Sequence, residues 1–115
     1  MDTKIALIAT GGTIAGQGAS DTDLTGYTPG VLGLDEILAS VPGTKPYGPY
    51  AYTQFSNIES SDITVKDWIK LAKVVQRLVN RDDISGVVIT HGTDSMEETA
   101  YFLNLTVHTD KPVVI

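Results

Sequence analysis

Four short apolar runs decide what this chain can fold into: KIALIA at Lys4–Ala9, YAYTQF at Tyr50–Phe55, GVVIT at Gly86–Thr90 and PVVI at Pro112–Ile115. Each has the length of a strand rather than a helix and is bounded by Gly, Pro or polar residues. Helical patterns fill the intervals. Leu34, Ile37, Leu38 and Val41 recur at helical spacing until Pro42 and Gly43 stop them, and Pro46 to Pro49 then reads as a turn. Thr64 and Asp67 form a capping box, Ile63 can staple against Trp68, and Trp68, Leu71, Ala72, Val75, Leu78 and Val79 make a core stripe. Ser95 and Glu98 suit a second box, ahead of a buried face of Met96, Ala100, Leu103 and Val107; Trp68, Met96 and Tyr101 are expected in the core. The order β, long loop, α, β, α, β, α, β predicts an α/β fold, a mostly parallel sheet with helices on both faces.

Length and charge narrow the partners. A chain of 115 residues makes one domain, and no repeat or linker divides it. The formal net charge is -6 and the eight Lys and Arg are scattered, which argues against nucleic acid or an anionic membrane surface as partner. There is no cysteine, hence no disulfide framework or thiolate metal site. The N-terminus carries one lysine and a short apolar run before the glycines, and it reads as neither signal peptide nor membrane span.

In open parallel sheets, ligands bind beyond the carboxyl ends of the strands. TGGTIAG at 10–16, SNIESSD at 56–62 and THGTD at 90–94 all fall there and are expected to converge. The first segment is not a phosphate loop, since Gln17 and Gly18 stand where lysine and a hydroxyl belong; a dinucleotide fingerprint fails at Asp21. What is left is a strand entering a glycine turn that exposes two hydroxyls, Thr10 and Thr13. Thr13 is either an activated nucleophile or a threonine bonded to its own turn. Tyr27, His91, Thr93 and Asp94 are the groups available to activate it. Asp94 suits the ammonium of a substrate and equally the N-cap of the next helix. His91 has only the distant His108 as a second histidine, so no metal cluster of ordinary spacing exists. Ser60 and Ser61, between Glu59 and Asp62, read equally as a plain approach to the Trp68 helix.

TGGTIAG together with THGTDSMEETAYFLNLTV at Thr90–Val107 closely resembles the signature regions of the bacterial-type L-asparaginases, especially the type II enzymes. GYTPG around Tyr27, the VPG turn at Val41, SNIESSD, the Trp68 helix and DKPVVI keep the same register. The resemblance covers the whole chain as the N-terminal part of the catalytic N-terminal domain; the remainder of that domain and a C-terminal domain lie outside residues 1–115. The PVVI strand stopping in mid-run agrees with a shortened chain.

The resemblance implies hydrolysis of L-asparagine to L-aspartate and ammonia through a threonine acyl-enzyme, without cofactor or metal. Thr13 would attack, Tyr27 on a lid would orient it, and Thr93 would supply a second hydroxyl, paired in the family with a lysine from a later segment. Ser60 would hold the substrate's α-carboxylate and Asp94 its α-amino group, with Gly12, Glu59, Ser61 and Gly92 also at the substrate. Glu59 stands where a small residue is usual, and Ser61 where many members carry glutamine or glutamate, which leaves asparagine and mixed glutaminase-asparaginase activity both open. Two other readings are a non-catalytic amino-acid-binding fragment and the amidotransferase branch of the family. The resemblance further implies a homotetramer, a dimer of dimers, with a periplasmic or secreted address by likeness to type II enzymes, or a cytoplasmic one.

Overall fold

The computed structural model describes residues 3–15 and 33–115. Among these residues β1 (Lys4–Ala9), β2 (Tyr50–Gln54), β3 (Ile84–Thr90) and β4 (Val113–Val114) form one sheet in the order β2-β1-β3-β4. Every pairing is parallel. A parallel pair cannot be closed by a hairpin, so the chain must cross over between strands. The crossovers contain α1 (Leu34–Ala39), α2 (Val65–Val79) and α3 (Met96–Thr106).

β1 lies inside the sheet because it is apolar on both sides. Ala6 and Ile8 join Val87 and Ile89 of β3 on one face, packed under Leu71, Val75 and Val79 of α2 and Leu103 of α3. Leu7 and Ala9 are buried on the other, with Ile5, Tyr50 and Val88 beside them and Leu38 of α1 above. Helices therefore cover both faces, as the alternation of runs predicts. Each fully buried Val or Leu of the main face contributes about 1.5–3 kcal/mol from its transfer out of water.

Local chemistry accounts for most of the boundaries. The box at the start of α2 forms: the Thr64 N–H donates to Asp67 Oδ2 at 2.9 Å, and the Asp67 N–H reaches Thr64 Oγ1 at 3.4 Å. The residues from Pro42 to Tyr47 make a 3-10 helix, where a turn was expected only from Pro46. β3 begins at Ile84, two residues ahead of the GVVIT run, in register with Lys4.

α3 departs from expectation. Ser95 occupies its N-cap position without capping it, because the hydroxyl donates instead to the Ser60 carbonyl at 2.6 Å. The buried residues of α3 are Thr99 and Leu103, while Met96 is 37% and Tyr101 65% exposed. The inward-facing position of the first turns is occupied by a threonine with two polar partners, described below, and Met96 is turned away from the core.

Candidate functional site

The three segments that follow β1, β2 and β3 meet. Beyond β1 the backbone turns through Gly11 and Gly12 at φ 99° and 80°, a region that side chains with a Cβ rarely adopt. Both glycines are also pressed on by neighbours. A Cβ on Gly11 would lie 2.6 Å from the Ile58 nitrogen, and one on Gly12 would lie 2.5 Å from the Cα of Gly92. Backbone here passes directly against backbone from the other two segments.

Hydrogen bonds hold the crossing. Thr10 donates its N–H and its hydroxyl to the Thr90 carbonyl at 3.1 and 2.8 Å, and its own carbonyl accepts from the Ile58 N–H and the Ser56 hydroxyl. Thr10 is thus buried and committed to the scaffold, a correction to the expectation that it is displayed beside Thr13. Thr13 opens a short 3-10 turn, Thr13–Ala15, closed by the Ala15 N–H on the Gly12 carbonyl at 3.1 Å. Tyr27 lies outside the described residues.

Ser60 is the hinge between the second and third segments. Only 3% exposed, it begins the 3-10 turn Ser60–Asp62. Its Oγ accepts the Asp94 N–H at 3.0 Å, and its carbonyl accepts the Ser95 hydroxyl. The Ser60 hydroxyl keeps its own hydrogen for a further acceptor. Gly92 is buried against it, since a Cβ there would come 2.7 Å from Ser60 Oγ. Glu59, Ser61, Thr93 and Asp94 are exposed around this junction. Asp94 is exposed and does not occupy the N-cap of α3, which is Ser95. Glu59 and Asp94 are exposed carboxylates on the segments that meet here, which suits a ligand carrying an ammonium group.

Beneath the junction, His91 is 7% exposed, with Nδ1 2.6 Å from the Gly92 carbonyl and Nε2 2.9 Å from Thr99 Oγ1. The Trp68 indole N–H donates to the same Thr99 oxygen at 2.8 Å. Neither Thr99 nor the polar edge of Trp68 is marked by the sequence: their separation of 31 residues has no motif, and Trp68 reads as core. Among the described residues no group of three or more His, Asp or Glu is placed to hold a metal ion.

Comparison with known proteins locates the whole chain. The family described as Asparaginase, N-terminal matches residues 4–115. The chain is 50% identical over 112 residues to L-asparaginase 2 of Bacillus subtilis, covering 97% of this chain and 30% of that protein. It is 45% identical over 113 residues to a glutaminase-asparaginase of Pseudomonas aeruginosa, covering 98% and 31%. The crystal structure of a probable cytoplasmic L-asparaginase from Campylobacter jejuni superposes with a TM-score of 0.90 at 46% identity, over 98% of this chain and 35% of that one. The chain spans about a third of the length of the relatives it matches.

Proposed function

Because the chain belongs to the asparaginase family, matched over residues 4–115, we propose that the protein it forms part of hydrolyses the side-chain amide of L-asparagine. The observation that carries this reading is the convergence of the three strand-end segments, with Gly12 packed against Gly92 and Ser60 bonded to the Asp94 amide. That junction offers a small site with a hydroxyl, a carboxylate and closely approaching backbone, the groups that an amino-acid amide needs.

In this reading Thr13 Oγ forms a bond to the amide carbon, the C–N bond breaks, and ammonia leaves with the threonine proton. Water then attacks the ester, releasing aspartate and returning a proton to Thr13. Tyr27 orients the nucleophile, and Thr93 assists proton transfer with a lysine supplied from outside residues 1–115. Ser60 donates its free hydrogen to the α-carboxylate, and Asp94 takes the α-ammonium in a charge-assisted hydrogen bond. Gly12 and Gly92 admit backbone close to the substrate, and amides near Thr13 and Thr93 receive the developing oxyanion. Glu59 and Ser61 line the outer part of the site.

A second reading, mixed glutaminase-asparaginase activity, is favoured by the 45% identical Pseudomonas aeruginosa relative. The short Ser61 side chain would leave room for one more methylene. The assembly in this proposal is a homotetramer, and residues 1–115 are the leading part of its N-terminal catalytic domain. The Campylobacter jejuni protein, described as probable cytoplasmic, supports a cytoplasmic address; likeness to the type II enzymes supports an exported one.

Ammonia release from asparagine and from glutamine, measured with the complete gene product and its Thr13→Ala variant, tests the proposal. The expected result is turnover of asparagine by the wild type, reduced about a thousandfold or more in Thr13→Ala. Undiminished turnover in the variant would remove Thr13 from the mechanism.

A further inference from the structure

The groups at the two ends of the buried polar chain fix its direction. An indole N–H only donates and a backbone carbonyl only accepts. The Gly92 carbonyl therefore requires a hydrogen on His91 Nδ1, 2.6 Å away. In the neutral ring Nε2 is then an acceptor, and the Thr99 hydroxyl, at 2.9 Å, donates to it. Thr99 Oγ1 is in turn free to accept the Trp68 N–H at 2.8 Å. The sequence Trp68 N–H to Thr99 O–H to His91 to Gly92 C=O leaves no member unsatisfied, and Thr99 at its centre is fully buried.

The chain ends on the peptide that precedes Thr93. The Gly92–Thr93 bond is trans, since among the described residues only Gly48–Pro49 is cis. In a trans peptide C=O and N–H point in opposite directions. Drawing the Gly92 carbonyl inward onto a buried ring accordingly turns the Thr93 N–H outward, to the side where Thr93 and Asp94 are exposed. Consecutive hydrogen bonds polarise one another, so a carbonyl held in this way also sharpens its own amide as a donor.

We propose that Thr99 is a positioning residue which, clamped by Trp68 and acting through His91, aims the Thr93 amide N–H at the oxyanion of the reaction. This rests on the amidohydrolase reading above. Loss of one oxyanion donor costs about 10²–10³ in kcat, and a donor left in place but poorly aimed costs a part of that. Thr99→Val strips the hydroxyl while keeping the shape. Thr99→Ser keeps the hydroxyl, and Trp68→Phe removes the clamp while retaining a ring to stack on Phe102, now 5.7 Å away between centroids.

Steady-state kinetics of the complete gene product and these variants with asparagine, together with ¹⁵N NMR of the His91 ring, test the proposal. Thr99→Val is expected to lower kcat about tenfold or more with KM within about twofold, Thr99→Ser to return to within about threefold of wild type, and Trp68→Phe to fall between them. The wild-type spectrum is expected to show the Nδ1–H tautomer. An unchanged kcat in Thr99→Val, a loss confined to KM, or an Nε2–H tautomer in the wild type would overturn the proposal while leaving the amidohydrolase reading intact. A wild type that releases no ammonia would sink both. Should Thr99→Val fail to fold, Trp68→Phe decides by the same split between kcat and KM.

Discussion

Gly12 and Gly92 illustrate how single residues set this site. Each sits where a methyl group would collide with the backbone or hydroxyl of a different segment, and Gly12 adds a positive φ. Gly12→Ala is expected to cost about 2–4 kcal/mol from left-handed strain and overpacking together, read as a lowered denaturant midpoint, and to abolish ammonia release. The glycine turn was legible in the sequence, because a doublet of glycines after an apolar run has few other uses. Thr13 could be singled out from its place just past the glycine pair; that Thr10 is committed to the scaffold could not, since its partner, the Thr90 carbonyl, lies 80 residues away. Ser95 stands at the N-cap of α3 as its spacing predicts, yet its hydroxyl caps nothing. Its local capping partner lost to the Ser60 carbonyl, a competitor that spacing along the chain does not reveal.

Among the elements α2 is the most firmly specified and α3 the least. The Asp67 carboxyl is held below the usual carboxylate range, chiefly by the Thr64 hydroxyl and then by the Thr64 backbone N–H. Such a depressed group stabilises the fold above about pH 4, the ordinary aspartate value, and loses that contribution as pH falls through its lower folded-state value. Thr64→Ala should therefore cost about 1 kcal/mol near neutral pH, and the gap from wild type in urea titrations should narrow below about pH 4. Leu71, 2% exposed under the main face of the sheet, is a separate case. Its replacement by alanine is expected to lower stability by about 2–5 kcal/mol at any pH, visible as a drop in Tm; a loss below 1 kcal/mol would mean that the cavity collapses. Strands and α2 were readable because their apolar spacing, caps and turns agree. The face of α3 was readable only in part: Leu103 is buried and Val107 packs against the core as their spacing predicts, but the inward position at Thr99 is polar and Met96 and Tyr101 are exposed.

At the scale of the molecule, the alternation of runs predicted the parallel sheet and the convergence of its strand-end loops, whereas strand order had to come from the structure. β2 and β4 are the edges of the described sheet, and Tyr52, Tyr101, Leu105 and Val114 are exposed large apolar residues. Unpaired edges with apolar neighbours invite strand addition. Residues 1–115 expressed alone are expected to elute from a sizing column well above their 12.3 kDa mass and to release no ammonia. A monomeric and active short chain would contradict both the edge reading and the need for a lysine from elsewhere. The strand order has another consequence, in time. β1 is made first, yet Ile5 pairs with Tyr50 on one side and Gly86 on the other. During synthesis the run KIALIA must wait for its second neighbour until nearly the whole of this segment exists, apolar and half-covered. The contacts that join the three strand-end segments thus cannot form before Thr90 emerges, and until then the growing chain carries an apolar strand open to mispairing.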